Sequence, residues 1–496
     1  MALLSEVSKH YGRLKFFIDG KWVDSKSTTI NQTTNPAIGE VIAEFPTATQ
    51  EEADAAVEAA YRAFKTWSNL PLRDRARLLF DLRGKFDEYF DELSRVLTQD
   101  HGRTIDESRG SVRRVIENIE SACSALYRLA RENEHVDQLA RGIDEYLVWE
   151  PVGVFLIITP GNIPMHAWSS FVPYALACGC PVVWSPSWQG PVCANKITEV
   201  VEEAGFPPGV HNLIHVGNQV ELNATMFAHP YVQGAGFIGS TAVSKILFDQ
   251  AGKLGKRTSL NGNGKNHIVI MPDADIDRGI EYLLRGCYGM TGQRCLGTDN
   301  VVIVGDVYDE VKSKFVEASA GMKLGYGLDE DTDLGPMTTQ MGKEKVLQWI
   351  EKGLKEGAKI ALDGREVKVK DYPNGYFLGP TILGDVHPDM HIAKEEAFGP
   401  VANLIRASNL DEAIEWINTK TNLGHSACIL TADGKNARKF TREVNVGNVG
   451  VNLGIPQPYS FFPMASKRES FFGNAHSRMD SVRLFMDQKT VTLRWV

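Results

Sequence analysis

The chain has 496 residues, of which 43% are hydrophobic and 23% are charged, and its net charge at pH 7 is -9. A chain of this length exceeds what one hydrophobic core supports, so we expect two or three domains. The negative net charge argues against nucleic acid as a partner, because phosphate binding requires concentrated positive charge. No apolar run approaches the roughly 20 residues that span a bilayer, so no membrane association is expected.

The N-terminal part alternates turns and amphipathic helices. Phe16-Phe-Ile-Asp-Gly-Lys-Trp-Val23 predicts a hairpin that turns at Asp-Gly. Thr49-Gln-Glu-Glu52 has the spacing of a capping box and predicts a helix through Trp67. Longer helical patterns run from about Arg73 to Thr98 and from about Ser108 to Arg131, and an exposed strand is expected near 142–152.

From Val152 the pattern alternates strand and helix, and one helical stretch is expected between Thr159 and Ala177. The predicted strands share a continuous apolar character: Val154–Thr159, Pro181–Trp184, His211–Val216 and Gly234–Ile238. Apolar strands separated by amphipathic helices indicate a parallel sheet that is covered on both faces. The pattern therefore predicts a doubly wound α/β domain of the nucleotide-binding type, which binds ligands at the carboxyl ends of its strands.

A second α/β series runs from His267 to about Asn452. The tail, Arg483–Met486 and Thr490–Trp495, is apolar and predicts strands. Such a terminus usually docks on another surface, so a partner subunit is expected.

The cysteines are seven in number, at positions 123, 178, 180, 193, 287, 295 and 428. Cys178-Gly-Cys180 is too tight for the usual zinc spacing, so no metal site is expected. The first residues show no secretory signal. Free thiols in the reducing cytoplasm are the simplest interpretation.

Cys295 lies in the stretch Gly289-Met-Thr-Gly-Gln-Arg-Cys-Leu-Gly-Thr298, between an apolar helical run and the strand pattern 300–304. A glycine-flanked loop between two buried elements can hold a nucleophile rigidly. Arg294 is expected to favour the thiolate, which is the reactive form. The alternative, a small buried core cysteine, is the commoner case for an arbitrary cysteine but fits this neighbourhood less well.

Several motifs resemble those of the aldehyde dehydrogenase superfamily, in the family's order. They are Pro160-Gly-Asn-Ile-Pro164, Phe237-Ile-Gly-Ser-Thr241, Gly292-Gln-Arg-Cys295 and Glu395-Glu-Ala-Phe-Gly-Pro-Val401. Within that superfamily the chain looks closest to the methylmalonate-semialdehyde dehydrogenases, the branch that makes acyl-CoA. The segments that point there are Lys265–Asp275, Leu362–Arg365, Val449–Pro458 and Ser466–Gly473.

The resemblance implies an aldehyde dehydrogenase-like α/β fold. Its Rossmann-type dinucleotide-binding domain would comprise residues 1–133 and 152–258, and its α/β catalytic domain residues 259–477. Residues 134–151 and 478–496 would form a small β oligomerisation element. A homodimer or homotetramer is expected.

The same resemblance implies how the chemistry is divided. Cys295 matches the nucleophile, and Asn162 matches the amide that stabilises the oxyanion, although Asn162 could instead satisfy a loop backbone. Asn261 stands where hydrolytic members have a glutamate base. Since an amide cannot take a proton from water, the thioester would persist until coenzyme A attacks it. An inactive enzyme would show the same substitution.

Arg114 and Arg294 match groups that could clamp a substrate carboxylate with a guanidinium fork. Arg114 could also be an ordinary exposed helix charge beside Arg113.

The residues that the resemblance assigns to NAD binding are Thr159, Pro160, Ser185, Trp188, Gly239, Ser240, Glu396 and Phe398. Ser185-Pro-Ser-Trp188 departs from the usual Lys-Pro-Ser-Glu, so the contacts to adenosine must differ. Trp188 could stack on the adenine, or the dinucleotide could bind weakly. No arginine near Ser185 offers a partner for a 2′-phosphate, and NAD is favoured over NADP.

The leading hypothesis is therefore NAD-dependent, CoA-acylating oxidation of a small carboxylated aldehyde such as malonate or methylmalonate semialdehyde. Two alternatives are an acylating dehydrogenase of another small aldehyde, for example a sulfonated one, and a non-catalytic homologue.

Overall fold

The computed structural model describes residues 5–131, 134–217 and 220–495. The strands, in chain order, are β1 (Phe16–Ile18), β2 (Lys21–Val23), β3 (Ile30–Asn35), β4 (Glu40–Pro46), β5 (His135–Ala140), β6 (Ile143–Pro151), β7 (Val154–Thr159), β8 (Val182–Pro186), β9 (His211–Leu213), β10 (Val232–Ile238), β11 (Arg257–Asn261), β12 (His267–Ile270), β13 (Asn300–Val304), β14 (Lys359–Leu362), β15 (Thr381–Gly384), β16 (Val401–Ala407), β17 (Leu423–Gly424), β18 (Ser426–Leu430), β19 (Asn448–Val451), β20 (Lys467–Arg468), β21 (Phe471–Gly473) and β22 (Met486–Arg494). The helices are α1 (Gln50–Trp67), α2 (Leu72–Glu88), α3 (Phe90–His101), α4 (Ile105–Arg131), α5 (Pro164–Ser169), α6 (Val172–Ala177), α7 (Pro191–Glu203), α8 (Val220–Ala228), α9 (Thr241–Leu254), α10 (Ile276–Tyr288), α11 (Tyr308–Ala320), α12 (Gln340–Lys355), α13 (His391–Lys394), α14 (Leu410–Thr419), α15 (Gly434–Glu443) and α16 (Val482–Phe485).

The first large sheet has the order β2-β1-β9-β8-β7-β10-β11-β21. Its central strands β9, β8, β7, β10 and β11 are parallel, and the outer strands β1 and β21 pair antiparallel. Separate clusters of buried side chains pack on its two faces. The predicted parallel, doubly covered sheet is confirmed, and the carboxyl ends of its central strands meet at one edge.

The second large sheet has the order β14-β15-β16-β13-β12-β18-β19 and is parallel except for β14. Two further core clusters cover its faces. The nucleophile loop that contains Cys295 joins α10 to β13. It lies against the segment that connects β11 of the first sheet to β12 of the second, since a Cβ atom on Gly264 would come within 2.4 Å of the Cys295 carbonyl oxygen.

The C-terminal strand β22 pairs with β6 along its whole length, from Met486↔Pro151 to Arg494↔Ile143, and β5 completes a small separate sheet. The capping box of α1 and the hairpin of β1 and β2 occur as predicted. No helix in the described ranges is long and apolar enough to cross a membrane.

Three local predictions were wrong. The pattern from Arg73 to Thr98 forms two helices, because the chain leaves helical geometry at Tyr89 (φ -90°, ψ 12°). The stretch up to Ala177 is likewise divided into α5 and α6, which turn at Phe171. Residues 483–485, predicted as a strand, belong to the helical turn α16, so that only Met486 of that segment joins β22.

The domain division stays a prediction. Its boundary at residue 133 lies outside the described residues, and β11 spans the boundary at 258 and 259. Phe471–Gly473, assigned to the catalytic domain, pairs with β11 in the first sheet.

Candidate active site

The loop before Cys295 is held in an unusual conformation. Met290 and Thr291 both have φ of 55°, in the left-handed region that favours glycine. The Met290 amide donates to Oε1 of Glu107 over 2.5 Å, and the Thr291 hydroxyl donates to the Gly335 carbonyl over 3.0 Å. Contacts from two distant parts of the chain therefore fix this loop, as a rigid nucleophile requires.

Asn162 and Asn266 bracket the nucleophile. The Asn266 side-chain amide donates to the Cys295 carbonyl over 2.8 Å, and that of Asn162 donates to the Gln293 carbonyl over 2.9 Å. Arg103 in turn donates to the Asn162 carbonyl. An amide nitrogen carries two hydrogens, so Asn162 supports the loop backbone and retains one donor for another acceptor. Asn266 and Arg103 were missed by the sequence reasoning, because neither belongs to a recognisable catalytic motif.

Burial controls the acidity of the Cys295 thiol. Burial raises the pKa of Cys295, the Glu396 carboxylate adds to the shift and the Arg294 guanidinium opposes it by less, so that the pKa lies at about 11. Arg294 acts in the expected direction, towards the thiolate, but its effect is too small to make the thiolate the dominant form in the ligand-free protein. Desolvation of the charged sulfur outweighs one neighbouring cation.

Asn261 lies at the carboxyl end of β11, beside Ile238 of β10, and Ile238 packs in the same apolar cluster as Cys295. Asn261 is buried, and neither its amide nitrogen nor its amide oxygen has a hydrogen-bond partner among the described residues. Unsatisfied buried polar atoms of this kind call for a bound water or ligand.

The two predicted arginines have different contact partners. Nη2 of Arg294 donates to Oε1 of Gln457 over 2.8 Å, and burial lowers the pKa of Arg294. Nη1 of Arg114 contacts Oε2 of Glu117 at 2.6 Å, and its guanidinium lies 5.3 Å from the ring centre of Tyr459. The charge of Arg114 acts on Arg294, so the two groups are close neighbours.

A third arginine was not predicted. Arg478 is fully enclosed, and its Nη1 donates to the Pro458 carbonyl over 2.6 Å. Its Nη2 contacts Nε2 of His166 at 3.0 Å, across 312 positions of sequence. Burial lowers the pKa of Arg478 to about 10, and the charge of Arg478 acts on Cys295. No local pattern marks either residue.

A cleft of about 220 Å³ lies at the carboxyl ends of β7, β8 and β10. The predicted cofactor residues that line it are Thr159, Pro160, Ser185, Trp188, Gly239 and Ser240. The hydroxyl of Ser185 is buried without a partner, and Ser240 caps α9 by accepting from the Val243 amide. None of the described residues that line the cleft is charged. The position of this cleft and its hydroxyl groups fit a dinucleotide, and the N-terminus of α9 suits the pyrophosphate.

Glu396 and Phe398 lie outside that cleft, on the side of the nucleophile. The Glu396 carboxylate accepts from the side chain of Asn263 and from the Gly264 amide. Burial raises the pKa of Glu396 to about 8, with Asp299 adding to the shift. Phe398 has a left-handed backbone (φ 59°).

One further polar cluster lies behind the loop that carries Asn162. The carboxylate of Asp100, the imidazole of His101 and the thiol of Cys193 offer atoms within 4.8 Å of one another, all buried. These residues are separated in sequence, so the cysteine spacing did not reveal them.

Comparison with known proteins agrees with this arrangement. A sequence model described as the aldehyde dehydrogenase family matches residues 22–491. The chain is 40% identical over 484 residues to malonate-semialdehyde dehydrogenase 2 of Geobacillus kaustophilus, covering 97% of this chain and 99% of that protein. Malonate-semialdehyde dehydrogenase 1 of Geobacillus thermodenitrificans is also 40% identical, over 483 residues, with the same coverage.

Solved structures show the same fold. The methylmalonate-semialdehyde dehydrogenase of Oceanimonas doudoroffii superposes with a TM-score of 0.95 at 34% identity, covering 98% of this chain and 99% of that one. A provisionally assigned methylmalonate-semialdehyde dehydrogenase of Sinorhizobium meliloti 1021, in complex with NAD, gives 0.95 at 33% identity and covers 99% of both chains. By the extent of these matches and the arrangement of the site, the chain belongs to the aldehyde dehydrogenase family.

Proposed function

We propose that this protein oxidises a small aldehyde that carries a carboxylate, of the malonate- or methylmalonate-semialdehyde type, to an acyl-CoA with NAD as the oxidant. The observation that carries the proposal is a partly buried cysteine held in a rigid loop, near a buried Asn261 that stands where hydrolytic members of the family have their base. The names of the relatives support the substrate class, and the complex of the Sinorhizobium protein supports NAD.

The first half-reaction forms a thioester on the protein. The Cys295 sulfur, after loss of its proton, adds to the aldehyde carbon, and the resulting oxyanion accepts from the free N–H of Asn162. One such donor is typically worth on the order of 3 kcal/mol in the transition state. NAD, when bound, supplies the acceptor for the hydride that leaves this carbon.

The second half-reaction transfers the acyl group. Asn261 cannot remove a proton from water, so hydrolysis is slow and the thioester survives until the thiol of coenzyme A displaces Cys295. A malonyl-type thioester loses carbon dioxide before or after this transfer, which yields acetyl- or propionyl-CoA.

The NAD contacts follow from the cleft. All six of the predicted residues that line the cleft are assigned to NAD: Thr159, Pro160, Gly239 and Ser240 to the pyrophosphate, and Ser185 and Trp188 to the adenosine. Without a charged side chain for the ribose, the ring of Trp188 supplies the adenosine contact in this proposal. Glu396 and Phe398 are assigned to the nicotinamide end, because Glu396 adjoins the nucleophile.

The cellular setting is part of the proposal. All seven cysteines have free thiols, which suits the reducing cytoplasm.

The test is an aldehyde panel assayed for NADH with NAD or NADP, each with and without coenzyme A. We expect malonate semialdehyde with NAD to give continuous NADH formation only when coenzyme A is present, and about one NADH per active site without it. Equal steady rates without coenzyme A would refute the acylating mechanism. If the protein prefers a sulfonated aldehyde, that compound rather than a carboxylated aldehyde is the substrate, since arginines bind carboxylates and sulfonates alike.

A further inference from the structure

His166 lies next to the reacting groups without belonging to any motif. It sits in α5, which begins two residues after Asn162. Ile163 and Ala167, on either side of it, pack with Met290 against Cys295. The helix α5 is therefore held beside the nucleophile, and His166 lies within range of the charges of Arg294 and Arg114.

Arg478 decides which nitrogen of His166 carries the proton. A guanidinium has only donors, so the 3.0 Å contact means that Nε2 of His166 accepts from Nη2 of Arg478. Burial lowers the pKa of His166 well below its usual value, and the charges of Arg478 and Arg114 add to the shift, so the ring is neutral. A neutral ring whose Nε2 is an acceptor carries its proton on Nδ1.

Arg478 is itself fixed by backbone groups. Its amide donates to the Ser170 carbonyl over 2.9 Å, just after α5, and Nη1 donates to the Pro458 carbonyl over 2.6 Å. The next residue, Tyr459, lies against the guanidinium of Arg114. Arg478 therefore ties His166 to the segment that faces Arg114.

The electrostatic surroundings favour an anion. The hydrogen-bond partners of Arg478 and Arg294 are neutral, namely carbonyls, His166 and Gln457. Buried guanidiniums bound to neutral groups keep their charge available for an incoming anion. Since Nε2 is occupied and the residue as a whole is 9% exposed, Nδ1 is the nitrogen of His166 that remains for a ligand.

We propose that His166 determines specificity by donating from Nδ1–H to the carboxylate end of the aldehyde, beside Arg294, and that Arg478 is the positioning residue that enforces this tautomer. The inference rests on the proposed function and deepens it. It names a neutral donor as the group that distinguishes an anionic aldehyde from a neutral one of the same length.

The experiment compares malonate semialdehyde with propanal, a neutral aldehyde that also has three carbons. We expect His166→Met to lower kcat/KM for the semialdehyde about tenfold or more, mainly through KM, because a hydrogen bond to a charged group is lost. The kcat/KM of His166→Met for propanal should stay within about twofold of the wild-type value. His166→Gln is the matched control, since its amide can accept from Arg478 and still donate, and it should retain most of the preference.

Arg478→Gln supplies a second measurement. It should lower the preference for the semialdehyde clearly more in the wild-type His166 background than in His166→Met, because the part of its effect that passes through His166 is lost in that variant; equal effects in both backgrounds would overturn the positioning role. Thermal unfolding and alkylation of Cys295 by iodoacetamide check that each variant is folded with an intact site.

The pH profile tests the tautomer. Because His166 is neutral, the preference should be flat between about pH 6 and 8. A preference that increases as the pH falls through this range would mean binding by an imidazolium and would overturn the assignment.

Two failures are distinguishable. If the wild-type protein prefers propanal, the proposed function is wrong. If the wild-type protein prefers the semialdehyde and folded His166→Met keeps that preference, the inference about His166 is wrong.

Discussion

At the scale of single residues, the partly buried Cys295 lies near acidic and basic side chains. Glu396 and Arg294 act on it in opposite directions, and desolvation dominates both. The ligand-free enzyme therefore stores its nucleophile mainly as the thiol, which protects it against adventitious alkylation. Entry of substrate and cofactor changes the surroundings in which this thiol must lose its proton.

The first prediction concerns this acidity. A raised pKa leaves the neutral thiol dominant at neutral pH, so the rate of Cys295 alkylation by iodoacetamide should increase about tenfold per pH unit up to the pKa of about 11. Mass spectrometry of the peptide that contains Cys295 measures the rate, and Cys295→Ser gives the background. A plateau near the value of a free cysteine would contradict the burial argument.

The second prediction concerns Asn261. Asn261→Glu places a carboxylate where its amide lacks partners, so it should introduce a base for water. NADH formation without coenzyme A should increase about tenfold or more, and acyl-CoA yield should fall correspondingly. Asn261→Gln, which is as long as the glutamate but has no base, is the control. An equal gain in both variants would show that water access rather than basicity limits hydrolysis.

At the scale of secondary-structure elements, the first turn of α4 supports the nucleophile loop. The Glu107 carboxylate accepts from the Thr104 amide over 3.1 Å and, with its other oxygen, from the Met290 amide. It therefore caps its own helix and holds a left-handed residue of the loop at the same time. The Glu107 side chain therefore links α4 to the nucleophile loop, although the two are far apart in sequence.

This arrangement yields the third prediction. Glu107→Gln should lower kcat about tenfold, because a displaced loop misplaces Cys295, while the melting temperature changes by a few degrees. Asp106→Asn removes the adjacent exposed charge of the same turn and is the matched control. If both variants have the same kcat, the Glu107 contact does not position the loop.

At the scale of the whole molecule, the small sheet of β22, β6 and β5 stands apart from the two large ones. Side chains alternate along β22, so Val491 and Leu493 share one face and Thr492 lies on the other. Trp495, which follows at the same spacing as Val491 and Leu493, is 65% exposed. An apolar face on an outlying strand suits contact with a second copy of the chain.

The fourth prediction is that the wild-type protein is a dimer or tetramer and that Val491→Lys with Leu493→Lys weakens this assembly. Charges on an apolar contact face are costly to bury, whereas backbone pairing with β6 is retained. Light scattering after gel filtration measures the mass, and Thr492→Lys is the control on the opposite face. A wild-type monomer, or a double variant with the wild-type mass, would contradict the prediction.

The sequence by itself determined the features that depend on local pattern and on motif. Continuous apolar runs such as Val154–Thr159 identified buried parallel strands, and the Thr49–Glu52 spacing identified the start of α1. The carboxyl ends of those strands marked the cleft that contains Ser185 and Gly239. These signals work because hydrogen bonding and burial repeat with the period of a strand or a helix.

Only the tertiary structure decided the features that depend on distance through space. The pair of Arg478 and His166 joins positions 312 residues apart, and the break of the helical pattern at Tyr89 is not marked by glycine or proline. The upward shift of the Cys295 pKa could also be found only from the tertiary structure. The sequence shows that Arg294 is next to Cys295, but it does not show how far the surrounding protein desolvates the thiol. Burial and long-range contacts are sums over the whole packed chain, so no local stretch of sequence contains them.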